Sequence, residues 1–241
     1  MIGALRAEAR KLNWLLVILL VLTGPGIMTG FSALVMHTSQ VPLNWTIYWL
    51  GAAGLWSAFM LPMTVVGLTA LLGYCEHRTN TWSVILTTPT PRWAVFAAKI
   101  TAINLLTLLS TALLIGGLFS AGAITGALWP EHAVPGATPW GEVLRRFGSM
   151  ILAAWPLMAI QLWVALRFSS FAAPIAVGIG GTFFAVAGAI RDTTAHLPWL
   201  MPMAMMARDP AEAELVLRNA MVLGAFLFAG LTAHMSWREW R

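Results

Sequence analysis

Charge is what this chain has least of. Asp, Glu, Lys and Arg make up 10% of its 241 residues, where a soluble domain carries about 25%. A soluble fold of this length could not clothe its surface with so few charges. One cysteine, Cys75, excludes an internal disulfide framework and any site built from several thiolates. It ends an apolar run and reads as a small apolar side chain. There is no P-loop, no Gly-x-Ser-x-Gly and no His-Glu-x-x-His, so the chain is expected to hydrolyse no ATP itself and to be no enzyme. The histidines His37, His77, His132, His196 and His234 lack the paired helical spacing of a metal site. No catalytic, cofactor-binding or metal-ligating residue is expected.

What is present is apolar. Hydrophobic residues reach 59% and the mean hydropathy is +0.78. A lipid-facing surface accounts for both the excess and the missing charge. Spanning a bilayer takes roughly 20 apolar residues per helix, and several such runs occur, without the short alternating segments of a barrel. The sequence therefore predicts an all-α membrane protein with six transmembrane helices. The spans are expected at Trp14–Val35, Ile47–Tyr74, Val95–Leu118, Phe147–Leu166, Ala172–Ile190 and Asn219–Met235. Pro62 interrupts the second and Pro156 the fourth, where they should kink the helix. Arg6, Arg10 and Lys11 precede a first run with no small-x-small cleavage site behind it, so that run is expected to be a span, not a removable leader.

Loop charges suggest the orientation. With both termini in the cytoplasm, that side holds nine basic and three acidic residues, and the other side five basic and six acidic. The positive-inside rule favours this arrangement. Arg145-Arg146 runs against it. The net charge of +5 sits in cations scattered at span ends, with no basic stripe or recognition motif. Lipid head groups are the expected partners, and no nucleic acid.

Residues 1–241 are expected to form one transmembrane domain: an interfacial helix over 1–13, a bundle over 14–235 and a cytoplasmic tail over 236–241. In the N-terminal helix Ile2, Leu5, Ala9 and Leu12 share one face, with Arg6 and Arg10 elsewhere. That pattern suits a membrane-surface anchor, a contact with a cytoplasmic partner, or both.

Between spans two and three lies Glu76-His77-Arg78-Thr79-Asn80-Thr81-Trp82-Ser83-Val84-Ile85-Leu86-Thr87-Thr88-Pro89-Thr90-Pro91-Arg92. Thr81 can cap a brief helix carrying Trp82, Ile85 and Leu86 on one side, and Pro89 stops it. Thr90-Pro91 can start a second helix that runs through Lys99 into span three. A surface helix exposing Trp, Ile and Leu needs something to bury them.

These pieces resemble the ABC-2 type permeases: Glu76, Thr81-Trp82, Ile85-Leu86-Thr87-Thr88-Pro89, Arg92 and Lys99, with Pro198 and Pro202 before span six. Among that family's branches the chain is most similar to short lantibiotic-immunity and antibiotic-exporter permease subunits. The resemblance implies a short cytoplasmic coupling helix at about 81–88, with Thr81, Trp82, Ile85 and Leu86 docking on an ATPase. Glu76, Arg78, Arg92 and Lys99 would anchor the elbow. It further implies two copies of an ABC ATPase subunit, which bind the ATP and Mg, and a second permease chain, identical or related. The place implied is the bacterial inner membrane, and the role is export of an amphipathic peptide or lipid-like compound. A secondary transporter would call for internal repeats and mid-span acids, which are not seen. A non-transporting scaffold subunit remains the other alternative.

The remaining polar groups fit helix packing. Asn104, Thr107, Ser110, Thr111 and Gln161 are expected to bridge helices. Gly178, Gly180 and Gly181 allow close approach, within the chain or between chains. Met201, Met203, Met205 and Met206 could offer soft Cu(I) ligands, but flexible apolar packing is the plainer reading. Thr138-Pro139 can start a helix with Glu142 in its first turn.

Overall fold

A computed structural model describes residues 2–39, 44–78, 91–188 and 197–237. Helix α1 (Ile2–Lys11) leads into α2 (Trp14–Thr38). The second span is α3 (Trp45–Leu55), a π turn (Trp56–Met60) and α4 (Leu61–Arg78) in unbroken succession. Then follow α5 (Arg92–Leu128), α6 (Trp140–Ala153), α7 (Trp155–Arg167), α8 (Ala172–Gly188), the short α9 (Met201–Ala204) and α10 (Pro210–Trp237). The described residues contain helices and no strand.

Four helical stretches are long and apolar enough to cross a membrane: Trp14–Thr38, Trp45–Arg78, Arg92–Leu128 and Pro210–Trp237. Helices α6 and α7, bent by 41° at their junction, make a fifth if they count as one span. Helix α8 is apolar but only 17 residues long. The expectation of six spans thus meets four or five by length. Phe183, Phe184, Val222 and Phe226 are 61–73% exposed, as on surfaces that meet lipid or another chain.

Helix ends differ from the hydropathy reading where polar caps extend them. Asn44 accepts from the Ile47 amide at 2.8 Å and starts α3 before the apolar run. Asp209 accepts from the Ala211 amide at 2.9 Å, so α10 begins well ahead of Asn219, with Glu212 in its first turn. The expected helix after Thr138-Pro139 is α6, with Glu142 in its first turn. Pro156 sits at the first turn of α7, at the bend, as expected. Pro62 acts differently. It cannot donate to the Ala58 carbonyl, and the chain absorbs this by widening the preceding turn: the Leu61 amide bonds to the Trp56 carbonyl, five residues back.

The second span is the hub: 67% of its apolar window is buried, against 33% for α2. Small residues bring its neighbours close. A Cβ at Gly178 of α8 would strike Val66 of α4, and one at Gly73 of α4 would lie 2.8 Å from the Ala165 carbonyl carbon of α7. Gly178 and Gly181, which meets Trp199, are therefore spent on packing within the chain, while Gly180 faces open space. Ser110 donates to the Val21 carbonyl of α2 at 2.9 Å. The Gln161 amide spans 3.1 Å to both the Pro174 carbonyl and the Gly178 amide of α8. These two bridge helices as expected. Asn104 and Thr111 instead bond within their own helix. Met201 and Met205 are buried, the Met205 carbonyl and Met206 sulfur accept from Arg146, and Met203 is exposed.

Candidate functional site

The two lysines of the chain, Lys11 and Lys99, meet at one point. Helix α1 presents Glu8 and Lys11 one turn apart, α4 ends with Glu76, and α5 carries Lys99 two turns after its start. The Lys99 ammonium lies 2.5 Å from Glu8 Oε2 and 2.5 Å from Glu76 Oε1. The Lys11 ammonium lies 3.1 Å from Glu8 Oε1 and 3.0 Å from Glu76 Oε1. The four charges close into a ring of alternating sign with no net charge.

The ring is buried. The Lys99 and Glu76 side chains are wholly inside, Glu8 nearly so, and Lys11 is 26% exposed. Ions taken from water need excellent geometry to offset the desolvation cost, and here each cation has two carboxylates. Burial works against the Lys11 ammonium, but the carboxylates of Glu76 and Glu8 outweigh it, and its pKa ends above the ordinary lysine value. Lysine suits Lys99 because a compact point charge fits between two carboxylates, where a planar guanidinium would not. Glu76 Oε2 is buried with no hydrogen-bond partner among the described residues.

Further contacts hold the same end of the bundle. Asn13 caps α2 with its side chain, and the Trp14 indole donates to the Ala9 carbonyl at 3.0 Å, fixing the α1–α2 elbow. His77 Nε2 is 3.2 Å from the Ala165 carbonyl of α7. Arg92 donates to the Ser236 carbonyl of α10 at 3.2 Å. The end of α1, the starts of α2 and α5 and the ends of α4, α7 and α10 therefore share one end. Trp49, Phe119, Trp140 and Phe147 cluster at the other.

Of the residues singled out in the sequence, Glu76 and Lys99 meet directly. Arg92 ties α5 to α10, and Arg78 is exposed at the end of α4. Thr81, Trp82, Ile85 and Leu86 lie outside the described residues. Glu8 and Lys11 were not expected to belong to the site. Two signals could have found them: Glu8 is the only acid before Glu76, and Lys11 is one of only two lysines.

The charge ring joins three helices, α1, α4 and α5, at one end of the bundle. A comparison with protein-family profiles matches residues 4–185 to the ABC-2 family transporter proteins. Searches of the curated proteins and of the solved structures returned no match. Members of that family are membrane permeases that generally work with an ABC ATPase. With three quarters of its length inside the family's profile and its long apolar helices arranged as a bundle, the chain belongs to the ABC-2 family of transporter proteins, as a multi-pass membrane permease.

Proposed function

We propose that this chain is the permease half of an ATP-driven exporter whose ATP and Mg are bound by a separate ATPase chain. The observation that carries the reading is the charge ring. Residues 79–90 leave α4 three residues after Glu76 and enter α5 before Lys99. A push on that segment would be passed to α1, α4 and α5 together, because Glu8, Glu76 and Lys99 are bonded across all three. The segment's Thr81, Trp82, Ile85 and Leu86 form the docking surface, with Arg78 and Arg92 at its margins. A second permease chain completes the pathway, and the cargo is an amphipathic peptide or lipid-like compound, such as one met in antimicrobial immunity.

The decisive experiment is Ile85→Ala with Leu86→Ala. Burying such side chains contributes roughly 1.5–3 kcal/mol each. The double variant should reach the membrane normally, fail to retain the ATPase on co-purification and lose cargo-stimulated ATP hydrolysis. Retention of both activities would remove the segment from the interface.

The reading also has six crossings and both termini in the cytoplasm. It is supported by the shared end of α1 and α10, since an even number of passes must separate them. The bent pair α6–α7 runs from the aromatic end to Ala165 beside His77, and α8 returns from Tyr74–Phe171 towards Phe59–Phe183. Ala133, exposed at the aromatic end, gives the test. Ala133→Cys in a Cys75→Ser background should react with an impermeant thiol reagent on intact cells. Labelling only after lysis would invert the topology.

A further inference from the structure

The pair Arg145-Arg146 sits at the bundle end opposite the charge ring, on the second turn of α6. That is the side on which the loop-charge rule disfavours cations, and the coupling reading gives the pair no role. Arg146 is consumed locally: it donates to Glu142 at 2.9 Å and to the Met205 carbonyl at 3.1 Å. Arg145 and Arg208 are exposed, and neither makes an ion pair or hydrogen bond among the described residues.

Arg145, Arg146 and Arg208 line one cleft of about 420 Å³, together with Ser149, Glu214 and Leu217. Glu142 pairs with Arg146, and Glu214 is the one acid on the linings of the two cavities against Arg145, Arg208 and Arg218, so the site carries excess positive charge. The cleft continues along α10. Glu214 and Leu217 also line a second cavity of about 620 Å³, whose other walls include Leu215, Arg218, Met221 and Val222. Val222 is 68% exposed, so beyond Glu214 and Arg218 this flank of α10 turns apolar at Met221 and Val222. A polar mouth with excess positive charge thus leads to an apolar stretch.

From this geometry we infer that the cleft is a binding site for an acidic phospholipid. Its phosphate lies between the Arg145 and Arg208 guanidiniums, and an acyl chain lies along Leu217, Met221 and Val222. Guanidinium forks match phosphate oxygens in charge and in geometry, and the lipid's net negative charge offsets part of the excess positive charge. A zwitterionic lipid brings no net charge to offset it. The inference is independent of the ATPase-coupling reading, because it needs neither the partner chain nor residues 79–90.

The test uses the full chain in nanodiscs of equal phosphatidylglycerol and phosphatidylcholine, released into mild detergent and weighed intact by native mass spectrometry. The unaltered chain should retain phosphatidylglycerol in preference. Arg145→Gln with Arg208→Gln should weaken that retention by about tenfold or more, the scale of losing hydrogen bonds to a charged group. Arg145→Lys with Arg208→Lys should keep most of it. Both side chains are exposed, so the unfolding midpoint of each variant should match the parent and certify the fold. Retention of the two lipids in their bulk ratio, or an unchanged preference in the Gln variant, overturns the site. So does displacement of the lipid by millimolar inorganic phosphate alone, which would make the cleft a bare anion site. Retention of a co-purified cellular amphiphile in place of phosphatidylglycerol, lost in the Gln variant, would assign the cleft to cargo and overturn the lipid assignment.

Discussion

Replacing Lys99 with alanine should cost about 3–5 kcal/mol, the usual penalty for removing one member of a buried ion pair. The loss arises less from the missing attraction than from what is left behind. Glu8 and Glu76 would face each other with Lys11 alone between them, and Glu76 is wholly buried. Thermal unfolding of the detergent-solubilised chain, followed by tryptophan fluorescence, should show a large fall in midpoint. Lys99→Arg should also be costly, because carboxylates 2.5 Å away on two sides leave no room for a guanidinium. Neutralising the ring is different. Buried ion clusters replaced by apolar groups of similar volume are often no less stable. Glu8→Leu, Lys11→Met, Glu76→Leu and Lys99→Met together should therefore recover most of the midpoint. If the ring is the joint proposed above, this quadruple variant stays folded yet no longer couples ATP hydrolysis to cargo. A single variant as stable as the parent would mean that water reaches the ring.

Gly73→Ala should be the most damaging substitution of a single small residue. On an exposed helix the change would gain up to about 1 kcal/mol in propensity. Here the added methyl would meet the Ala165 carbonyl of α7, whose carbon lies 2.8 Å from the Cβ position. Backbone cannot rotate aside as a flexible side chain does, so α4 and α7 must separate. Overpacking of this kind typically costs about 1–3 kcal/mol, which outweighs the propensity gain. The shift falls one turn before Glu76 and beside the His77–Ala165 contact. A lowered midpoint together with weakened ATPase coupling is the expected pair of effects. A Gly73→Ala chain more stable than the parent would show that the two helices can part freely.

The helices were legible because apolar runs state their own length, and the bend at Pro156 because proline lacks the donor that the helix needs. The π turn was not legible, since Pro62 alone does not say whether a helix will kink or widen. The site was half legible. Glu76 and Lys99 stood out beside a segment with a family pattern. Glu8 was hidden in plain view: it falls between Leu5 and Leu12, on the face that hydropathy assigned to the membrane surface. Periodicity shows which residues share a face, not what covers it. The partners of Glu8 and Lys11 lie 91 and 65 residues away, beyond the reach of any local pattern. The same limit applied to the glycines of α8, whose contacts with Val66 and Trp199 decide a choice the sequence left open.

The π turn at Trp56–Met60 has a consequence for timing around the helix axis. It inserts one residue relative to a regular α-helix, and one residue is about 100° of rotation. Trp45, Tyr48 and Trp49 anchor the upper half of the span in the aromatic cluster, so any change in pitch is felt below. Were the turn to tighten into ordinary α-helix, the lower half would swing by that angle and carry the Glu76 carboxylate away from Lys99. The span behaves as a screw whose thread is set in its middle, and whether the ring can close is decided some sixteen residues upstream of the glutamate that closes it.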